Sequence, residues 1–293
     1  MSTPSGQRPF PIPLVSAMGP GSQIEDEELD YLPMPQGMST YQPPRLPEPD
    51  ALDGHGAAIA VLDQVLAVLQ AAIRGESVAP VDLSGLGAAD RQFVNQALGE
   101  GEVGAQVADG QGSALVQVQE SVFAGVWRVI ERLPDGGLQD RIEVGAIPEV
   151  LKTCARQDGA SGHRPTARLP EGVMNAPTLL QELHDQRQQW RAGQSAHLVN
   201  LSFLLLSAAD FDCLEEQLCT GRVVILSRGY VNCRISSTCV PNTWRVVYYN
   251  SQDAMILNSI EVVDMPEVAC AAPEDLVDSE QRLREVMAWV NRN

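Results

Sequence analysis

The sequence predicts an α+β protein: two tandem copies of one duplicated unit (helix, strand, helix, antiparallel strands, helix) behind a disordered Pro-rich N-terminal tail. Three observations carry this. IEVGAIPEV at 142–150 recurs as IEVVDMPEV at 260–268. Apolar residues step at helical spacing near the start of each half. Short β-rich stretches separated by turn residues fill the middle of each half. Ordered similarity at a long, nearly fixed spacing is the mark of an internal repeat.

Residues 1–50 read as a flexible acidic tail. Proline is dense from Pro4 to Pro49, and ring constraint with missing N–H groups keeps such a stretch out of helices and sheets. Within it, IEDEELDYLPMP places Glu25, Asp26, Glu27, Glu28, Asp30 and Tyr31 together as a candidate partner-binding motif.

The first repeat domain is expected at 51–157. Ile59, Leu62, Leu66, Leu69 and Ile73 share one helical face, with Gly75 as the stop. The best candidate for a membrane span, AAIAVLDQVLAVLQAAI, is interrupted by Asp63, Gln64 and Gln70, so membrane insertion is not expected. A linker follows at 158–175. The second repeat domain, 176–293, opens with the helix APTLLQELHDQRQQW.

After each first helix the elements recur in order. VDLS at 81–84 answers VNLS at 199–202, both as short strands. AADRQFVNQALGEGEV at 88–103 answers AADFDCLEEQLCTGRV at 208–223, both as helices. Ser207 is placed to cap the second of these, with Asp210 at its third position, and Gly87 takes the cap in the first. Gly101 and Gly221 are expected to end them in left-handed turns. Trp127-Arg128-Val129 answers Trp244-Arg245-Val246. Pairing Trp127 with Val144 and Trp244 with Val262 sets Arg128 opposite Glu143 and Arg245 opposite Glu261, an expected hairpin register. Pro148 and Pro266 are then expected in the first turns of closing helices, the second longer and faced by Leu283, Val286 and Val290.

Charge and cysteine content bound the function. A net charge of −18 argues against nucleic acid and against anionic membrane surfaces. The start MSTPSGQRPFPIP lacks the basic and apolar regions of an export signal, so a cytoplasmic location with reduced thiols is expected.

Catalytic motifs are not found. GEGEVG at 99–104 has the form G-x-G-x-x-G, but a helix precedes it and a strand follows, the reverse of a dinucleotide site. His55, His163, His184 and His197 lie outside the strand-rich bodies. No enzyme activity and no cofactor are expected. Cys213 and Cys219 fall on different faces of one helix. Cys233 and Cys239 flank ISST, and convergence there would make a weak metal or iron–sulfur carrier site, the alternative reading. Free buried thiols are the simpler reading of all six cysteines.

MGPGSQIEDEELDYLPMP, LGEGEV, GYVNCRISST and VVDMPEVACAAPEDLVDSEQRLREV together resemble the HupH/HyaF (HoxQ-like) family of hydrogenase expression/formation proteins. The resemblance spans nearly the whole chain. Relatives carry Gly in place of Val231, and often Arg or another residue in place of Cys239. The resemblance implies an accessory, chaperone-like role in maturing a membrane-bound uptake NiFe hydrogenase. It implies binding of the iron–sulfur small-subunit precursor, with its twin-arginine signal peptide as one candidate contact, before export. It also implies a thioredoxin-like HyaE-type accessory protein as a second partner. The family supplies no catalytic residues. Function is therefore sought where the copies differ: Tyr230, Asn232 and Arg234, and the acidic tail.

Overall fold

A computed structural model describes residues 54–109, 112–160, 170–229 and 232–290. The first copy runs α1 (Gly56–Ile73), β1 (Val81–Asp82), α2 (Ala88–Leu98), β2 (Val103–Ala108), β3 (Ala114–Glu120), β4 (Val126–Arg132), β5 (Leu138–Val144) and α3 (Glu149–Ala160). The second runs α4 (Ala176–Gln189), β6 (His197–Asn200), a 3-10 turn (Leu201–Phe203), α5 (Ala208–Leu218), β7 (Thr220–Ser227), β8 (Asn232–Thr238), β9 (Thr243–Tyr249) and β10 (Met255–Val262). A second 3-10 turn (Glu267–Ala269) and α6 (Pro273–Val290) follow. The acidic tail motif and the linker segment 161–169 lie outside the described residues.

The two copies share one ten-stranded sheet, ordered β1-β5-β4-β3-β2-β7-β8-β9-β10-β6. The join is the antiparallel pair β2–β7. There Ala105 lies opposite Ile225, its counterpart in the other copy. Equivalent strands thus meet around a local two-fold at the sheet centre, the self-complementary geometry of a symmetric dimer fused into one chain.

The last helix of each copy packs on the other. Helix α3 lies on β7 and β8, and α6 lies on α1. Ser279 and Arg282 of α6 donate to the carbonyls of Ala124 and Val122 in the first copy. One apolar cluster therefore runs from α1 through Trp127, Val129, Ile225 and Val246 to Leu283. A smaller one holds α4 and α5 against Val199, Ile260 and Val262.

Local chemistry explains the elements. Ser207 caps α5: its hydroxyl accepts from the N–H of Asp210, whose carboxylate accepts from the Ser207 N–H. Gly87 stands at the cap of α2. The core stripe of α1 is Ala58, Leu62, Val65 and Leu69, rotated from the expected one, and Ile73 is exposed. Helix α1 is the one described helix long and apolar enough, by length and composition, to cross a membrane. That stripe packs into the core.

Three sequence expectations change. The helices stop at Gly99 and Cys219, both at positive φ, two residues before Gly101 and Gly221. Those two glycines serve close approach instead. A Cβ on Gly101 would strike the Ser121 carbonyl, and one on Gly221 would strike the Ser237 hydroxyl. The hairpin register is one residue away from that expected: Trp127 faces Glu143, and Trp244 faces Glu261. Helices pack on both faces of the sheet, so polar residues are not confined to one side. Each arginine bridges sheet to helix. Arg128 bonds Asp140 at 2.8 Å and Asn95 of α2 at 2.6 Å. Arg245 bonds Asn258 at 3.3 Å and Glu215 of α5 at 2.7 Å. Finally, Pro266 precedes a 3-10 turn, and the long helix begins at Pro273.

Candidate functional site

Strand β8 carries two of the residues singled out from the sequence. Asn232 opens it opposite Tyr249, and Arg234 lies between Leu226 and Val247. Tyr230 lies outside the described residues. Alternation along β8 puts Arg234 on the sheet face opposite the one that carries Cys233 and Ile235. Helix α3 packs on the face that carries Ser237 and Gly221, where Asp158 sits.

On the Arg234 face, α2 reaches β4 and β5 through Asn95–Arg128 and Arg91–Asp140. Helix α5 reaches β9 through Glu215–Arg245. Between these anchors lie β3, β2, β7 and β8, with Gln117, Gln106, Val224, Leu226 and Arg234 in cross-strand succession. Four strands at ~4.8 Å spacing make a floor about 15–20 Å wide, room for one extended or helical segment. Arg234 is half-buried, and its side chain makes no hydrogen bond or ion pair among the described residues.

A second surface escaped the sequence reading. Strand β6 is one of the two edge strands of the sheet and, among the described residues, pairs with β10 alone. The segment after it displays Phe203 at 84% and Leu205 at 93% exposure, beside Leu198 and Leu204. Its backbone is pinned. Asn200 accepts from the Ser202 N–H at 3.0 Å, the Ser202 hydroxyl accepts from the Asn258 N–H at 2.8 Å, and Asn175 donates to the Leu205 carbonyl at 2.7 Å. A tethered loop holding large apolar side chains in water, next to a strand edge left open among the described residues, is a candidate polypeptide docking surface. The signal was the run FLLL at 203–206, unbroken by a polar residue between VNLS and the capping Ser207.

The cysteine expectation is corrected. Cys233 and Cys239 do not converge: Cys233 sits at the start of β8 and Cys239 just past its end, so the strand separates them by roughly 20 Å. Cys233 is buried, and burial, with the nearby Glu261 carboxylate, pushes its thiol up to about 12. The sulfur that Cys239 meets belongs to Cys219. No three His, Cys, Asp or Glu side chains among the described residues are grouped to hold a metal ion.

Each histidine among the described residues has a local partner, and His197 opens β6 where the sequence placed it outside the strands. His55 bonds Asp90 at 3.0 Å and stacks on Phe93, His197 bonds Glu182 at 2.8 Å, and His184 bonds Gln188 and Arg187. His163 lies outside the described residues. The repeated tryptophans are buried and donate to backbone carbonyls, Trp127 to Gly145 and Trp244 to Asp264, so they brace the fold.

A ten-stranded antiparallel sheet assembled from two copies of one helix-and-strand unit defines a duplicated α+β protein. The conserved C-terminal region of the HupH hydrogenase expression protein matches the chain twice, at 56–169 and 173–290, and the chain belongs to that family. The hydrogenase expression/formation protein HoxQ of Cupriavidus necator is 52% identical over 96% of this chain and 98% of its own length. HupH of Rhodobacter capsulatus is 44% identical, over 95% of this chain and 97% of its own. The hydrogenase-1 operon protein HyaF of Escherichia coli is 33% identical, over 93% and 95%.

Proposed function

We propose that this protein is a non-catalytic accessory factor of NiFe hydrogenase maturation. It binds the iron–sulfur small-subunit precursor in the cytoplasm before twin-arginine export. Family membership supports the maturation role, since the relatives are named hydrogenase expression/formation proteins. The observation that carries binding is the tethered exposure of Phe203 and Leu205 at the β6 edge. An apolar signal segment or an unfolded strand of the precursor would cover these side chains and add backbone hydrogen bonds to the strand edge. The net charge of −18 suits a precursor whose signal is basic.

A thioredoxin-like accessory protein of the HyaE type is the second proposed partner. The trough around Arg234 and the acidic tail from Glu25 to Tyr31 are proposed as further contact regions. The domain limits 51–157 and 176–293 are proposed as the functional units. The deciding experiment is capture of the precursor small subunit by the purified chain, with and without its signal peptide. Retention of the precursor is expected, weakened by removing the signal. Failure to retain either form would overturn the proposal.

A further inference from the structure

Antiparallel pairing of Thr220 with Thr238 places the flanking residues, Cys219 and Cys239, directly opposite one another. The Cys239 N–H donates to the Cys219 carbonyl at 3.4 Å and to the Leu218 carbonyl at 2.9 Å. Both sulfurs lie 3.7 Å from one acceptor, the Thr220 carbonyl oxygen. Both residues are partly exposed, and Cys219 lines an open depression with Asp212, Glu215, Glu216 and Thr220. Directly opposite residues have Cβ atoms about 4.5–5.5 Å apart, close to the separation a disulfide needs.

We infer that Cys219 and Cys239 are a redox modification site, a dithiol that closes to a disulfide by exchange with a small disulfide of the oxidised-glutathione class. The Cys219 thiolate attacks one sulfur of that molecule, and its S–S bond breaks. One thiol leaves, and a mixed disulfide remains on Cys219. Cys239 then attacks the Cys219 sulfur and expels the second thiol. The two cysteine protons end on the two released thiols, and the protein loses two electrons to the co-reactant. Burial and the hydrogen bond with Cys219 push the Cys239 thiol up to about 12, so Cys219 makes the first attack.

The bond would join the end of α5 to the turn after β8. Cys219 holds that helix end at φ 55. The same turn receives α3 of the other copy, where Gly159 packs against Pro241. Oxidation would therefore brace, within the second copy, the turn on which α3 of the first copy packs.

The test is titration of the native full chain with oxidised glutathione, read by intact mass and a non-reducing peptide map. Loss of two hydrogens, with one link between the peptides carrying Cys219 and Cys239 and reversal by a thiol reductant, is expected. In Cys239→Ser the reaction should stop at a stable glutathione adduct on Cys219, which is nearly absent from the oxidised wild type. Adducts on the wild type that never close, a link to any other cysteine, or no reaction while the denatured chain reacts would each overturn the inference. The wild-type measurement decides the matter even where a variant fails to fold.

Discussion

Asp158 of α3 and Arg222 of β7 bind each other across the seam between the two copies. Arg222 donates from Nε to Asp158 Oδ1 at 2.6 Å and from its backbone N–H to Oδ2 at 2.7 Å. The carboxylate is buried and the guanidinium about one-third exposed. Removing the carboxylate leaves a backbone N–H without its acceptor and the cation without its counter-charge. Asp158→Ala is expected to destabilise the protein by about 2–3 kcal/mol, seen as a lower denaturant midpoint. An unchanged midpoint would show that the seam does not depend on this pair.

Gly101 and Gly221 make a paired prediction. The obstacle at Gly101 is a backbone carbonyl, that of Ser121, and backbone cannot rotate away. At Gly221 it is the Ser237 hydroxyl, with Asp158 Oδ2 at 2.9 Å. Gly101→Ala is expected to cost about 3 kcal/mol or more and Gly221→Ala somewhat less, with partial rescue of the latter by Ser237→Ala. Equal costs without rescue would refute the distinction between backbone and side-chain obstacles.

These glycines mark the limit of what the sequence made legible. The duplication, the Ser207 cap and the helices at 56–73 and 176–189 could be read because each rests on local spacing. Helix stops were placed two residues late because Gly101 and Gly221 carry the usual stop residue, whereas Cys219 takes a left-handed conformation with no glycine to announce it. The register slipped by one because arginine partners on α2 and α5 are remote in sequence. The β2–β7 join and the Cys219–Cys239 pairing are likewise long-range. Asn232 and Arg234 were chosen for their absence from the first copy, and the structure sets them on one central strand. The Phe203–Leu205 patch was not anticipated, because whether an apolar run is covered depends on contacts remote in sequence.

Glu120 predicts a pH dependence. It is buried at the end of β3, and its Oε1 accepts from the Gly125 N–H at 3.1 Å. Burial, helped by the charges of Glu102 and Asp275 and outweighing the backbone donors, raises its pKa from 4.5 to about 7. The folded state thus binds a proton that the unfolded state releases near pH 4.5. The stabilisation is complete below that pH and lost as pH rises through about 7, a change of roughly 3 kcal/mol. Glu120→Gln should flatten stability between these limits, measured by denaturation at a series of pH values. A wild type equally stable across this window would contradict the assignment.

Asp210 predicts the opposite sign. Burial alone would raise its carboxyl, but the backbone N–H groups of Ala176, Ser207, Met174 and Asn175 outweigh burial and hold it well below the usual carboxylate range. Its contribution is present at neutral pH and is lost only as pH falls below 3.8 towards the folded value. It fastens the start of α4 to the start of α5. In the first copy Asp90 meets, among the described residues, the His55 side chain at 3.0 Å. Asp210→Ala is therefore expected to cost about 3–5 kcal/mol and Asp90→Ala about 1 kcal/mol, compared by thermal or chemical denaturation. Similar losses at both sites would refute the asymmetry.

Phe203 and Leu205 separate binding from folding. Each side chain is almost wholly in water, so replacement removes little buried area. The hydrogen bonds that shape the loop come from Asn200, Ser202 and Asn175 and remain in the variant. Phe203→Ser with Leu205→Ser is expected to leave stability within about 0.5 kcal/mol of wild type. Burying both residues against an apolar segment stabilises a complex by about 1.5–3 kcal/mol each. The double variant should therefore weaken precursor capture at least tenfold, read by titration against the immobilised precursor. Full capture by a stable double variant would move the docking surface elsewhere, with the trough floor around Arg234 as the next place to substitute. Loss of stability would instead show that these side chains are packed in solution, and the exposed edge would no longer explain binding.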